Sequence, residues 1–158
     1  MDKLWAPWRK TYLLKKPTKA CLICRIRTST RDSEHFILNR TPHSFAVLNI
    51  FPYNPGHVMI IPNRHVNGLE RLKDSELLDL LHLTNQIIVR LRKIMKPQGM
   101  NVGINLGRVA GAGIPGHIHV HIVPRWKGDT NFMPVVGNTK IISESLKSAY
   151  KRLKSSRP

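Results

Sequence analysis

The stretch that most constrains this chain is His117-Ile118-His119-Val120-His121-Ile122, in which three histidines alternate with branched aliphatic residues. Successive side chains of a β-strand point to opposite faces, so a strand here places all three imidazoles on one face. A helix would scatter the histidines around its axis, and β-branched residues favour strands. The stretch therefore predicts a strand with one face in the core and the other available for chemistry.

Three roles are open to these imidazoles: a solvated polar face, a metal site, or nucleophilic catalysis. A His-x-His pair on a strand can chelate zinc, but residues four apart on a strand are separated by roughly 13 Å, so one ion would hardly take all three. A neutral imidazole attacks phosphorus well at pH 7, and its neighbours can fix its tautomer. The alternation of three scarce histidines favours a functional role over a solvated face.

The composition indicates one domain and an anionic partner. With 158 residues, 41% of them hydrophobic, the chain can bury a core. Its 26 Lys and Arg against 9 Asp and Glu give a net charge of +17, which favours a nucleotide, a nucleic acid or an acidic surface as partner; a solvated basic surface is the alternative. The chain has no long apolar run and no signal-peptide pattern, so we expect a cytoplasmic protein without a membrane partner.

The only two cysteines, Cys21 and Cys24, form a Cys-x-x-Cys motif. Such a pair can be a redox couple, half of a zinc site, or two free thiols in a reducing compartment. A redox couple is disfavoured because no βαβ pattern surrounds it.

The hydrophobic pattern predicts an α+β fold, a five-stranded antiparallel sheet with one long helix across it and a C-terminal helix. The long helix begins at Asp74 or Ser75 and ends at Pro97. Residues 140–158 form a basic amphipathic helix, which we expect to dock its apolar face on the domain. Residues 1–20, with Trp5 and Trp8, are expected to be a docking arm. The predicted strands are residues 35–39, 44–49, 57–62 and 101–105 and the strand of the three histidines.

The histidine strand, followed by Pro124-Arg125, resembles the signature of the histidine triad superfamily. The likeness covers residues 44–132 and is similar to the fragile-histidine-triad branch. It implies that His119 is the nucleophile, supported by His117, His121 and His57. It also implies that Val47 and Met59 wall a base, that Asn49 bonds the ribose, and that Asn105 contacts bridging phosphates.

The loop Gly111-Ala112-Gly113 precedes the first histidine of the triad. Its glycines allow close backbone approach, and its N–H groups can cradle a phosphate. Members of the superfamily usually carry Gln or Ser here, so Gly113 removes a side-chain donor.

The segments Leu4-Trp5-Ala6-Pro7-Trp8-Arg9 and Pro124 to Phe132 resemble the bacterial branch that includes diadenosine tetraphosphate phosphorylases. That resemblance implies a structural zinc ion on two thiolates and two imidazoles, and no organic cofactor. It also implies a homodimer, with pairing into tetramers through the arms as a further possibility. The four expected zinc ligands are Cys21, Cys24, His65 and His117.

The resemblance implies nucleotidyl transfer through a covalent nucleotidyl-histidine formed from a dinucleoside polyphosphate. Phosphate resolving this intermediate makes a phosphorylase; water makes a hydrolase of dinucleoside polyphosphates or nucleoside phosphoramidates. A nucleotide- or nucleic-acid-binding module with little turnover is the alternative of another class. The +17 charge and the missing donor at Gly113 motivate that alternative.

Overall fold

The structure, a computed structural model, describes residues 21–129 and 140–155. The expected docking arm, residues 1–20, therefore lies outside the described residues. The elements are α1 (Leu22–Thr28), β1 (Ile37–Arg40), β2 (Ser44–Leu48), β3 (Val58–Pro62), a 3-10 turn (Leu69–Arg71), α2 (Asp74–Met95), β4 (Gly99–Ile104), β5 (Val120–Arg125) and α3 (Leu146–Ser155).

The five strands form one sheet in the order β1-β2-β3-β5-β4, and every neighbouring pair is antiparallel. Val47 pairs with Met59, and Met59 pairs with His121. This register places strand residues from distant parts of the chain in one row across the sheet. The predicted five-stranded antiparallel sheet and α+β class are confirmed.

The long helix α2 covers one face of the sheet. Its apolar residues recur every three or four positions, as Leu80, Leu83, Ile87 and Leu91, and each is at most 2% exposed. The helix begins where the Glu76 carboxylate accepts the Lys73 backbone N–H at 2.8 Å. The apolar stripe packs on buried sheet residues that include Ala46, Leu48, Val58, Ile60 and Ile122.

The strand predicted for the three histidines, β5, begins later than expected. It starts at Val120, so His117 and His119 precede its regular pairing. The reason is local: the Ile118 N–H donates to the carbonyl of Val66 at 2.7 Å instead of joining a strand ladder. Two of the three triad histidines, His117 and His119, therefore lie in the irregular segment that leads into β5.

The C-terminal helix begins at Leu146 rather than at residue 140. The Ser145 hydroxyl accepts the Ser148 backbone N–H at 3.2 Å, which is the contact of an N-terminal cap. Ala149 and Leu153 are 3% and 1% exposed and join the same core as α2. The helix docks its apolar face on the domain, as expected.

Across the described ranges, no helix combines the length and the apolar character that a membrane crossing requires.

We expect Leu83→Ala to lower the free energy of unfolding by about 2–5 kcal/mol, because the removed atoms leave a cavity between α2 and the sheet. Leu83 is 0% exposed. Leu81→Ala is the matched control, since Leu81 lies on the same helix and is 62% exposed. Urea denaturation measures both variants, and a similar loss in both would contradict this account of the core.

Candidate active site and metal centre

One cavity, here called the main cavity, lies between α1 and the face of the sheet opposite α2. Leu22 and Ile26, four residues apart on α1, form one apolar wall; Phe45, Val47 and Met59 from the sheet form the other. Such an apolar slot with a few convergent polar groups is typical of a small-molecule site. The polar side chains that line it are those of His35, Asn49, Tyr53, His119 and His121.

The tautomer of His119 follows from its hydrogen bond. Its Nδ1 lies 2.9 Å from the backbone oxygen of His117. A carbonyl oxygen only accepts, so Nδ1 carries the proton and donates it. The lone pair of a neutral His119 therefore resides on Nε2, and its side chain borders the main cavity.

A directed chain of hydrogen bonds fixes His121 in the same way. The Tyr53 backbone N–H donates to Nδ1 of His57 at 3.1 Å, so the proton of neutral His57 is on Nε2. That Nε2 lies 2.9 Å from Nδ1 of His121 and donates to it. The remaining ring proton of His121 is on its own Nε2, which makes His121 a donor beside His119, with ring centroids 4.8 Å apart.

Burial keeps His57 neutral. The residue is 0% exposed, and desolvation, followed by the nearby His121 and His119, lowers the pKa of His57 to about 3. The donor direction described above therefore persists across the physiological pH range.

The turn that carries Tyr53 and His57 is tied to the end of β5. The amide of Asn54, which is 1% exposed, donates to the Pro124 carbonyl at 2.8 Å and to the Asp129 carboxylate at 2.6 Å. Arg125 donates to both oxygens of the same carboxylate at 2.6 and 3.0 Å, which holds the pKa of Asp129 well below its usual value. These bonds hold the His57 turn against β5, the strand of His121.

A second cluster joins α1 to the triad. The possible ligand atoms of Cys21, Cys24, His65 and His117 all lie within 4.8 Å of one another. Nδ1 of His117 is 3.6 Å from the Cys21 sulfur and 3.7 Å from the Cys24 sulfur, and Nδ1 of His65 is 3.3 Å from the Cys24 sulfur. Two cysteines and two histidines form a closed four-ligand set, so this cluster is positioned to hold a metal ion.

His117 is oriented for that role. Its Nε2 lies 2.9 Å from the Pro62 carbonyl and donates to it, which leaves the Nδ1 lone pair facing the two thiols. Burial lowers the pKa of His117 to about 4, so the ring is neutral and that lone pair is available.

The structure brings together most of the residues singled out from the sequence. Asn49, Gly111 and Gly113 border the main cavity together with Val47, Met59, His119 and His121. Ala112 is only 7% exposed and is not among the described residues that line the cavity. Asn105 is outside this lining too, and its amide lies next to Gly111, where a Cβ would be 3.6 Å from the Asn105 nitrogen.

Several residues that line the cavity were not predicted as site residues, and they include the wall from α1, Tyr53 and His35. The spacing of Leu22 and Ile26 was the available signal for α1, and a seven-residue helix offers too few turns to make it strong. Tyr53 stacks on His57 with ring centroids 4.8 Å apart, a contact that no local pattern indicates.

Comparison with known proteins identifies the family of this chain. The family model described as HIT domain matches residues 30–128. The chain belongs to the HIT domain family. The name abbreviates histidine triad, so the family expected from the sequence is confirmed.

Two relatives are named for an enzymatic activity. A protein of Mycobacterium tuberculosis (strain CDC 1551 / Oshkosh) called AP-4-A phosphorylase is 38% identical over 162 residues, covering 97% of this chain and 83% of that protein. An asymmetrical bis(5'-nucleosyl)-tetraphosphatase of Schizosaccharomyces pombe is 41% identical over 93 residues, 59% of this chain and 50% of that protein. The prediction that this HIT protein is an enzyme is confirmed by these relatives.

Solved structures share the fold. A HIT family protein from Bacillus subtilis matches with a TM-score of 0.64 at 29% identity, covering 72% of this chain and 79% of that one. A Zn-bound histidine triad family protein from Mycobacterium smegmatis matches with a TM-score of 0.69 at 23% identity, covering 86% of this chain and 91% of that one. The second likeness supports the fold alone.

We expect His57 to remain neutral with its proton on Nε2 at pH 5, because its pKa of about 3 lies below the ordinary value of 6.5. As the pH falls, the His57 ring becomes charged in the unfolded chain before it does so in the folded chain. His57 therefore makes the fold less stable as the pH falls from about 6.5 towards 3. Nitrogen-15 NMR of the imidazoles reports both tautomer and charge. A His57 ring that titrates near 6.5 would contradict the buried, neutral assignment.

Proposed function

We propose that this HIT enzyme transfers a nucleotidyl group from a dinucleoside polyphosphate through a covalent intermediate on His119. The observation that supports the proposal is the tautomer of His119. With Nδ1 donating to the His117 carbonyl, Nε2 offers its lone pair at the main cavity. A positioned, neutral imidazole is an effective nucleophile towards phosphorus.

In the first step, Nε2 of His119 attacks the α-phosphorus of diadenosine tetraphosphate. A P–N bond forms, the bond to the bridging oxygen breaks, and ATP leaves. The ring N–H of His121 donates to oxygens that gain charge. The backbone N–H groups of Gly111 and Ala112 already donate to the carbonyls of Arg108 and Gly107, at 3.0 and 3.1 Å, so they are not free to do the same. The His117 carbonyl stabilises the positive charge that the His119 ring acquires.

In the second step, an oxygen nucleophile breaks the P–N bond and restores neutral His119. Inorganic phosphate gives ADP, and water gives AMP. The relative called AP-4-A phosphorylase aligns over nearly the whole chain, which favours phosphate. The hydrolytic alternative is supported by the tetraphosphatase, which aligns over the central region.

Asn49 and the two apolar walls fit the nucleoside part of the substrate. The Asn49 side chain is held in place, since its Oδ1 accepts the Phe51 N–H at 2.9 Å. Its amide nitrogen lies 3.4 Å from Nδ1 of His57, and the second N–H of that amide is left for a ribose hydroxyl. Val47 and Met59 oppose the α1 wall and suit a flat base.

We expect His119→Ala to abolish turnover of diadenosine tetraphosphate while AMP binding stays within about tenfold, because the nucleophile acts mainly in the chemical step. Mass spectrometry of the wild type after brief exposure to this substrate should show one added AMP on His119. His82→Ala, an exposed histidine on α2, is the matched control and should keep full activity.

Assaying turnover with and without inorganic phosphate separates a phosphorylase from a hydrolase, because ADP forms only when phosphate resolves the intermediate. Wild-type turnover without any AMP adduct, or turnover of His119→Ala within tenfold of wild type, would contradict the assignment of His119 as the nucleophile.

We further propose that the metal centre of Cys21, Cys24, His65 and His117 holds a structural zinc ion. Its closed donor set of two sulfurs and two imidazole nitrogens is the set that zinc takes in structural sites. Zinc there supplies a cross-link between α1 and the triad segment and takes no part in the transfer steps. The donation from His117 Nε2 to the Pro62 carbonyl is the outer-shell contact that such a ligand uses.

We expect about one zinc per chain in purified protein, and loss of the metal in Cys21→Ser and His65→Ala. The melting temperature should fall in both variants and on chelation of the wild type. His43→Ala, which removes an exposed histidine outside the cluster, should keep its zinc. If the purified protein contains no zinc and chelators leave its melting temperature unchanged, the proposed zinc site is wrong.

Several expectations stay predictions: the single domain, the cytoplasmic location, and the homodimer with its arm of residues 1–20. The binding module with little turnover also stays as the alternative of another class. Its signature would be nucleic-acid affinity that falls steeply with salt, because each neutralised phosphate releases counterions.

A further inference from the structure

His35 is a polar residue in an otherwise apolar part of the main cavity. It is half-buried and stands just before β1. The next residue, Phe36, has a positive φ of 57° and packs on the opposite side of the sheet, where its ring meets Tyr150 at 5.7 Å. A phenylalanine in this left-handed conformation is uncommon, and it shapes the chain where His35 meets the cavity.

The strand register places His35 and the triad at opposite sides of the cavity. A row of paired residues runs from Ile37 through Val47 and Met59 to His121. Three inter-strand spacings span roughly 14 Å. A nucleotide whose α-phosphorus lies at His119 therefore extends its base towards β1 and α1.

The surroundings of His35 differ from those of the other polar residues. Asn49, Tyr53 and His121 are linked to His57 by hydrogen bonds or ring stacking, and His119 is bonded to the His117 carbonyl. Within residues 21–129 and 140–155, no recorded hydrogen bond uses the imidazole of His35. Its neighbours in the lining include Leu22, Ile26 and Phe45.

We propose that His35 determines base specificity by hydrogen-bonding the polar substituent at C6 of a purine. This inference rests on the proposed nucleotide function and assigns a role that the triad does not cover. The fused rings of a purine fill the apolar slot between the α1 wall and the sheet. The only polar partner on the β1 side is then the His35 ring among the described lining residues.

The chemistry of an imidazole fits both common purines. Each ring nitrogen of a neutral histidine either donates as N–H or accepts through its lone pair, depending on the tautomer. It accepts from the 6-amino group of adenine or donates to the 6-oxo group of hypoxanthine and guanine. A purine with hydrogen at C6 offers neither interaction.

The test is calorimetric titration of the full chain with AMP, purine riboside 5'-monophosphate and ribose 5-phosphate. Purine riboside 5'-monophosphate differs from AMP only by lacking the 6-amino group. Wild type should bind AMP about three- to tenfold more tightly than this analogue, the ratio that one neutral hydrogen bond supplies. Ribose 5-phosphate, which has no base, should bind more weakly than both.

Two substitutions at position 35 separate hydrogen bonding from shape. His35→Phe keeps a ring but has no donor or acceptor, and it should reduce the AMP-to-analogue ratio to about one. His35→Gln keeps both kinds of polar atom and should restore part of the ratio. His43→Phe, an exposed histidine of the neighbouring turn, is the matched control and should behave as wild type.

Equal binding of AMP and its analogue by wild type, or an unchanged ratio in His35→Phe, overturns the inference. If the AMP adduct on His119 still forms, the proposed function stands and only the role of His35 fails. If wild type binds AMP no better than ribose 5-phosphate, the cavity does not bind the base, and the inference about His35 is wrong as well. Melting curves of all variants establish that each is folded.

Discussion

The arrangement of this site depends on His117, which makes three connections at once. Its Nδ1 faces the cysteine sulfurs, its Nε2 donates to the Pro62 carbonyl, and its own carbonyl accepts from His119. The side chain thus belongs to the cluster of four possible metal ligands, while the backbone orients the His119 ring. His117 thereby connects α1, the end of β3 and the ring of His119.

Two buried histidines next to the cavity lining are neutral although the whole chain is strongly positive. The protein carries +17, yet burial keeps His57 and His117 neutral by lowering the pKa of each. Neutral imidazoles can act as lone-pair donors or directed N–H donors, whereas charged ones would only donate. The positive charge is thus available for attracting polyanions from solution. The neutral His57 ring keeps the donor direction that sets the proton of His121.

Much of the fold follows from local pattern. The alternation around His119 predicted a strand, and the apolar stripe of α2 predicted the long helix; both depend on periodicity within a short window. The late start of β5 does not, because the Ile118 N–H finds its acceptor on Val66, far away in sequence. The tautomer of His121 likewise rests on a long-range bond, the one from His57, and His35 joins the cavity lining only in the folded chain.

The hydrogen-bond chain that starts at the Tyr53 amide also governs which ions the triad accepts. Three alternating imidazoles resemble a metal-binding site. Chelation by His119 and His121 would need a lone pair from each ring, directed at the same ion. To supply a lone pair on Nε2, His121 would have to carry its proton on Nδ1 and donate it to Nε2 of His57. The proton of His57 would then be on Nδ1, where it would face the backbone N–H of Tyr53. A single backbone donor thus disfavours chelation of a divalent cation by His119 and His121 together, while the lone pair of His117 still faces the cysteine sulfurs.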